Sequence, residues 1–152
     1  MVKGTRYTKG RNGLVAGTAG TGKTSRAASF AVASCERGER CLFLSYEESA
    51  GQLIQNMSSI GFDLESWVKK GLLKIVSTRP SFFGLEMHLL DLYKTIEAFK
   101  PKSVVIDPLT SLLGPEDPAA IQSMITRTTD LLKTKGITRF VTSPLPSAAQ
   151  HN

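Results

Sequence analysis

The 152 residues carry 41% hydrophobic and 21% charged side chains, ordinary proportions for one globular domain whose core needs no disulfide or metal staples. No apolar run approaches the roughly 20 residues that cross a bilayer, and no secretory signal opens the chain, so a cytoplasmic protein is expected. The net charge of +6 is concentrated: Lys3, Arg6, Lys9 and Arg11 lie in a short leading arm. Such an arm suits a solvated leader or an anionic partner, and without interleaved aromatics beyond Tyr7 it does not make nucleic acid an expected partner. Cys35 and Cys41 are the only cysteines, too few for a disulfide framework or a four-thiolate zinc site, and they read as buried or half-buried free thiols.

The spacing predicts a basic arm over residues 1–12, a core over 13–142 and a loose tail over 143–152, where Pro144 and Pro146 interrupt a stretch without periodicity. The first strand is the apolar run Leu14-Val15-Ala16. Behind it, Lys23 to about Arg37 reads as a helix. Its small residues Ala27, Ala28, Ala31 and Ala33 allow close approach to a sheet, and Gly38 ends it with a left-handed cap.

Cys41-Leu42-Phe43-Leu44-Ser45 is the second strand, apolar enough to be buried on both faces. Ser49-Ala50-Gly51-Gln52 has the spacing of a capping box, followed by a helix with Leu53, Ile54 and Met57 on its apolar face and Gly61 at its close. Asp63 to Gly71 forms a shorter helix, and Leu72-Leu73-Lys74-Ile75-Val76 the third strand.

Leu85, Leu89, Leu92, Ile96 and Phe99 recur at helical intervals, predicting an amphipathic helix from about Gly84 that Pro101 stops. His88 beside that stripe reads as a partly buried helix histidine rather than a ligand, since no second His or Cys accompanies it. Ser103-Val104-Val105-Ile106-Asp107 is the fourth strand, ended by Pro108, whose nitrogen has no proton for the ladder. Asp117 and Pro118 open a helix that Gly136 closes, and Ile137-Thr138-Arg139-Phe140-Val141 is the fifth strand. Strands alternating with helices predict an α/β fold, a five-stranded, mostly parallel sheet with helices on both faces.

Ligands of such sheets bind outside the carboxyl ends of the strands, and three of those ends carry chemistry. After the first stands Gly17-Thr18-Ala19-Gly20-Thr21-Gly22-Lys23-Thr24, a phosphate-binding loop of the form G-x-x-x-x-G-K-[ST]. Its glycines let several backbone N–H groups converge on one anion. Lys23 brings an ammonium to the β- and γ-phosphates, Thr24 a hydroxyl to Mg²⁺, and the following helix its positive end. The fourth strand ends on Asp107, the Walker B acid that would hold Mg²⁺. The second is followed by Glu47 and Glu48, either of which could polarise a water; Glu47 is taken as the general base and Glu48 as its support, although sequence does not order them.

These motifs resemble the KaiC-like ATPases of the RecA superfamily, named for the bacterial circadian clock protein. The likeness rests on Gly17 through Thr24 with Ser25, on Leu44-Ser45-Tyr46-Glu47-Glu48-Ser49 with Gln52-Leu53, and on Gly71-Leu72-Leu73-Lys74-Ile75-Val76. It continues through Gly84-Leu85-Glu86, Val104-Val105-Ile106-Asp107-Pro108-Leu109-Thr110-Ser111-Leu112 and Gly136-Ile137-Thr138, spanning roughly Gly10 to Ser143. The resemblance implies a RecA-like sheet in which the phosphate-loop and Asp107 strands are adjacent, with the paired-glutamate strand next to the latter. It implies ATP as substrate, ADP as product, Mg²⁺ as cofactor, nucleotide contacts from Gly17 through Ser25, and hexameric rings with ATP between subunits.

The pattern departs from the family at both ends. A family lead-in of about twenty residues, ending in Gly-Leu-Pro, corresponds here to the short arm, and Gly13 stands where the first strand has a larger side chain, which should weaken that strand's start. The family segments beyond the fifth strand, which reach a neighbour's γ-phosphate and carry the autokinase residues of clock-type members, have no counterpart in these residues. Slow, Mg²⁺-dependent hydrolysis is therefore the leading expectation, with self-association expected and hexamer formation and autokinase activity left open. A nucleotide-dependent interaction module without useful turnover is the second reading, and a RecA-like DNA-binding ATPase the third.

Overall fold

The computed structural model describes residues 12–16, 21–78, 85–108 and 118–143. The basic arm before Asn12, Gly17 to Gly20 of the phosphate loop, the Asp117 cap and the tail after Ser143 lie outside these residues. The chain order is β1 (Asn12–Ala16), α1 (Thr21–Glu36), β2 (Cys41–Ser45), α2 (Ala50–Ser58), α3 (Leu64–Lys69), β3 (Leu73–Ser77), α4 (Leu85–Phe99), β4 (Ser103–Asp107), α5 (Pro118–Thr134) and β5 (Thr138–Ser143).

The fold is α/β, a parallel sheet with helices on both faces, in the order β1-β5-β4-β2-β3. β2 and β4 are buried at every position, as their unbroken apolar runs require when helices cover both sides. β1 flanks the sheet through its backbone, with Gly13 paired to Phe140 inside the ladder.

One expectation fails here. The phosphate-loop strand is not adjacent to the Asp107 strand, because β5 lies between β1 and β4. The physical reason is the width of the first crossover. α1 packs across β5, β4 and β2, so the chain leaves β1 at the edge and returns as β2 with two places skipped. β4 and β5 fill those places, and the apolar pair Phe140-Val141 is buried there on opposite faces. The paired-glutamate strand does lie beside the Asp107 strand, with Ser45 opposite Asp107.

Alternation along each strand divides the core in two. On one face Phe43, Val105 and Phe140 meet Ala27, Ala28, Phe30 and Ala31 of α1 and Leu53 of α2. The alanines have no exposed surface, which lets α1 sit close to the sheet, and the Phe30 and Phe140 rings stack with centroids 4.9 Å apart. On the other face Leu42, Leu44, Val104, Ile106 and Val141 pack against Leu92 and Ile96 of α4 and Leu132 of α5. Glu86 and Arg127 tie those two helices together outside the core through paired hydrogen bonds of 2.7 and 2.9 Å.

The caps follow the local sequence. Gly38 has φ +79°, and the bonds from its own N–H to the Cys35 carbonyl and from the Glu39 N–H to the Ser34 carbonyl complete a Schellman motif. Asp63 caps α3 by accepting the Ser66 N–H. At α2 only half of the capping box forms: the Ser49 hydroxyl accepts the Gln52 N–H at 3.1 Å, but the Gln52 side chain turns away to donate to Asn56. Both cysteines are buried free thiols, and burial raises Cys35 to about 11 and Cys41 to about 12, which keeps them protonated and poorly nucleophilic.

Candidate functional site

At the carboxyl ends of β2 and β4, a cleft of about 600 Å³ is lined by Thr24, Ser45, Glu47, Glu48, Asn56 and Asp107, with Met57 and Ile60 on its apolar side. Three chain segments remote in sequence converge on it. α1 brings Thr24 in its first turn, directly after Lys23, which is 8% exposed. β4 ends on Asp107, and the residues after β2 supply both glutamates. Because parallel strands end together, Ser45 stands opposite Asp107, and the Tyr46 N–H donates to the Asp107 carbonyl at 3.0 Å.

The Asp107 carboxylate is buried between two hydroxyls. Thr24 Oγ1 donates to Oδ2 at 3.3 Å, and Thr142 Oγ1, from β5, donates to Oδ1 at 2.6 Å. Its pKa lies above the ordinary carboxylate value. Burial is the main cause, the hydrogen bonds from Thr142 and Thr24 pull the other way, and the negative charges of Glu48 and Glu47 add to the rise. A cationic ligand in the cleft would offset both the desolvation cost of the charged carboxylate and the repulsion.

The two glutamates differ in setting. Glu47 is exposed, whereas Glu48 is half-buried. Asn56 Nδ2 donates to Glu48 Oε2 at 2.6 Å and is itself held by Gln52 at 3.0 Å. The Glu48 carbonyl accepts hydroxyls from Ser45 and Ser77, both at 2.8 Å, so the segment after β2 is tied to the ends of two strands. Ser25, expected among the nucleotide contacts, donates its hydroxyl to the Gly22 carbonyl at 3.0 Å and stabilises the first turn of α1.

The structure thus brings together Thr24, Glu47, Glu48 and Asp107 around one cleft, and Lys23, directly before Thr24 in α1, is buried. Gly17, Thr18, Ala19 and Gly20 lie outside the described residues, and of Thr21 the backbone opens α1. His88 is a half-buried helix histidine, as expected, and its Nε2 lies 2.6 Å from the Tyr46 hydroxyl. Sequence reading missed Thr142 and Asn56. The signal for Thr142 was a hydroxyl residue directly after the Phe140-Val141 run, usable only once β5 is known to lie beside β4. For Asn56 it was a capped helix starting at Ser49, which carries a side chain eight residues beyond Glu48 back to that carboxylate.

An α/β domain with a polar, carboxylate-bearing cleft at its parallel strand ends, behind a Gly-x-x-x-x-Gly-Lys-Thr segment, belongs to the class of phosphate-loop nucleotide-binding folds. Comparison with known proteins narrows the class. The family model described as "ATPase: KaiC" matches residues 2–152, and the chain belongs to that family.

Among its relatives, the circadian clock protein KaiC2 of Synechocystis sp. is 43% identical over 142 residues, covering 93% of this chain and 25% of the relative. The circadian clock oscillator protein KaiC of Parathermosynechococcus lividus is 42% identical over 130 residues, covering 86% of this chain and 24% of the relative. That of Picosynechococcus sp. is 39% identical over 130 residues, with 86% and 25% coverage. The chain therefore spans about a quarter of the length of these relatives. ATP binding and hydrolysis are supported at the level of the family. No helix among the described residues is long and apolar enough to cross a membrane.

Proposed function

We propose that this domain binds ATP with Mg²⁺ and hydrolyses its terminal phosphoanhydride bond. The observation that carries the proposal is the convergence of Thr24, Asp107, Glu47 and Glu48 in one cleft, with the buried Lys23 directly before Thr24 in α1. The donor chemistry fits Mg²⁺, because Thr24 Oγ1 and Asp107 Oδ2 are hard oxygens 3.3 Å apart. No group of three or more His, Cys, Asp or Glu among the described residues forms a closed cage. Mg²⁺ is characteristically held by one or two protein groups while phosphates and water complete its shell. When bound, it would neutralise charge on the phosphates.

The chain's own groups supply the rest. The Lys23 ammonium and the N-terminal end of α1 bind and orient the β- and γ-phosphates. Glu47, exposed to the cleft, accepts the proton of the water that attacks the γ-phosphorus, and ADP leaves with the electrons of the broken P–O bond. Glu48, held by Asn56, adds negative charge that favours the proton's arrival and fixes the loop's conformation. Self-association with nucleotide between subunits follows from the family resemblance. A basic residue from a neighbouring subunit is worth about 10³–10⁵ in rate at related sites, so these residues assayed alone are expected to turn over slowly.

Titration calorimetry with MgATP and steady-state phosphate release, each with and without Mg²⁺, test the reading. Saturable binding and slow release that both depend on Mg²⁺ are expected. Absence of MgATP binding by the folded chain would overturn it.

A further inference from the structure

The segment that carries Glu47 and Glu48 has a second anchor on the opposite side of the sheet. Tyr46 follows β2 and continues its alternation, so its ring enters the core face that holds Leu42, Leu44 and Leu92, away from the cleft. Tyr46 is 3% exposed, yet its hydroxyl is not orphaned: it lies 2.6 Å from Nε2 of the half-buried His88 on α4, and the two rings meet edge to face at 5.2 Å. The same residue's N–H holds the Asp107 carbonyl at 3.0 Å. One residue thus connects β4 by its backbone, the paired glutamates by peptide linkage and α4 by its side chain.

We propose that His88 is a positioning residue which, through its hydrogen bond with the Tyr46 hydroxyl, holds the Glu47-Glu48 segment in register with Asp107. The inference rests on the proposed role of those glutamates. Burial drives Tyr46 toward its protonated form and His88 toward its neutral form, so the bond joins two uncharged groups, and the imidazole tautomer sets which of them donates. Without the imidazole, the phenol hydroxyl is a buried polar group with no partner and the ring must shift to find one, dragging the residue that follows it.

The test uses His88→Phe, which keeps an aromatic edge but no hydrogen-bonding group, and His88→Gln, which restores one on a flexible stem. Amide hydrogen exchange at Glu47 and Glu48, MgATP affinity and phosphate release are measured on the full chain. His88→Phe should speed exchange at both amides by roughly three- to tenfold, the worth of one net hydrogen bond. It should lower kcat while leaving the dissociation constant for MgATP within about twofold, and His88→Gln should recover part of each loss. Exchange in His88→Phe equal to the unsubstituted chain, or His88→Gln no better than His88→Phe, would overturn the proposal.

If His88→Phe does not fold, Tyr46→Phe removes the same bond from the other side with a smaller change, and unchanged exchange there would be equally decisive. An unsubstituted chain that releases no phosphate would remove the catalytic reading, while the exchange measurements would still decide whether His88 anchors the segment.

Discussion

Thr142→Val isolates the contact that the tertiary structure adds to the site. Valine has nearly the same shape, so the substitution deletes a hydrogen bond without opening a cavity in a position that has no exposed surface. The bond runs to a charged acceptor, Asp107 Oδ1, at 2.6 Å. Hydrogen bonds to charged groups contribute about 1.5–3 kcal/mol net, and the loss falls at the upper end when the remaining partner is buried. Asp107 is 7% exposed and water cannot readily replace the hydroxyl, so a cost of about 2–3 kcal/mol is expected. Thr142→Ser keeps the hydroxyl and removes one methyl, with an expected cost of about 1 kcal/mol. Urea unfolding in chelator-containing buffer, followed by tryptophan fluorescence from Trp67, measures both. A Thr142→Val cost below that of Thr142→Ser would refute the assignment of this hydroxyl as a support for the Asp107 carboxylate.

Lys23→Ala should weaken MgATP binding at least tenfold, because the ammonium beside the phosphates is lost, as read by calorimetry; wild-type affinity in that variant would count against the whole site. Glu47→Gln should retain nucleotide and lose turnover by about 10²- to 10⁴-fold, the usual contribution of a general base; unchanged phosphate release would remove Glu47 from the mechanism. Burial lowers the His88 pKa below its ordinary value of 6.5, with the Asp91 carboxylate opposing, and Tyr46 faces the ring from the residue after β2. A histidine that stays neutral in the folded state contributes stability that is complete above the unfolded pKa and is lost as pH falls through the folded one. The urea midpoint should therefore drop between about pH 7 and pH 5 more in the unsubstituted chain than in His88→Gln; equal drops would show that His88 is not the titrating group.

The elements were legible because their signals are local. The short apolar runs Cys41–Leu44 and Val104–Ile106 become β2 and β4, and Ala27, Ala28 and Ala31 of α1 face the sheet as their spacing predicts, while Ala33 is only half-buried. Boundaries shifted by a residue or two. β3 runs Leu73–Ser77 and β5 Thr138–Ser143, each extended by hydroxyl residues that no apolar pattern marks. The half-formed capping box at Ser49 has the same origin: spacing permits the reciprocal bond, but Asn56 one turn on offers Gln52 a competing acceptor.

Sequence by itself determined which groups gather. Once strands alternate with helices, every strand end points to the same edge, and Lys23, Thr24, Glu47, Glu48 and Asp107 must arrive there together. Strand order is another matter, because it depends on how far a crossover helix reaches, and that is settled by the packing of α1 against three strands rather than by any residue within one. Only that packing placed β5 between β1 and β4 and set Thr142 against Asp107. Only the meeting of α4 with the sheet brought His88 to the Tyr46 hydroxyl, 42 residues away in sequence. Local pattern fixes a residue's element and face; its partner across the core is decided by which elements share that face.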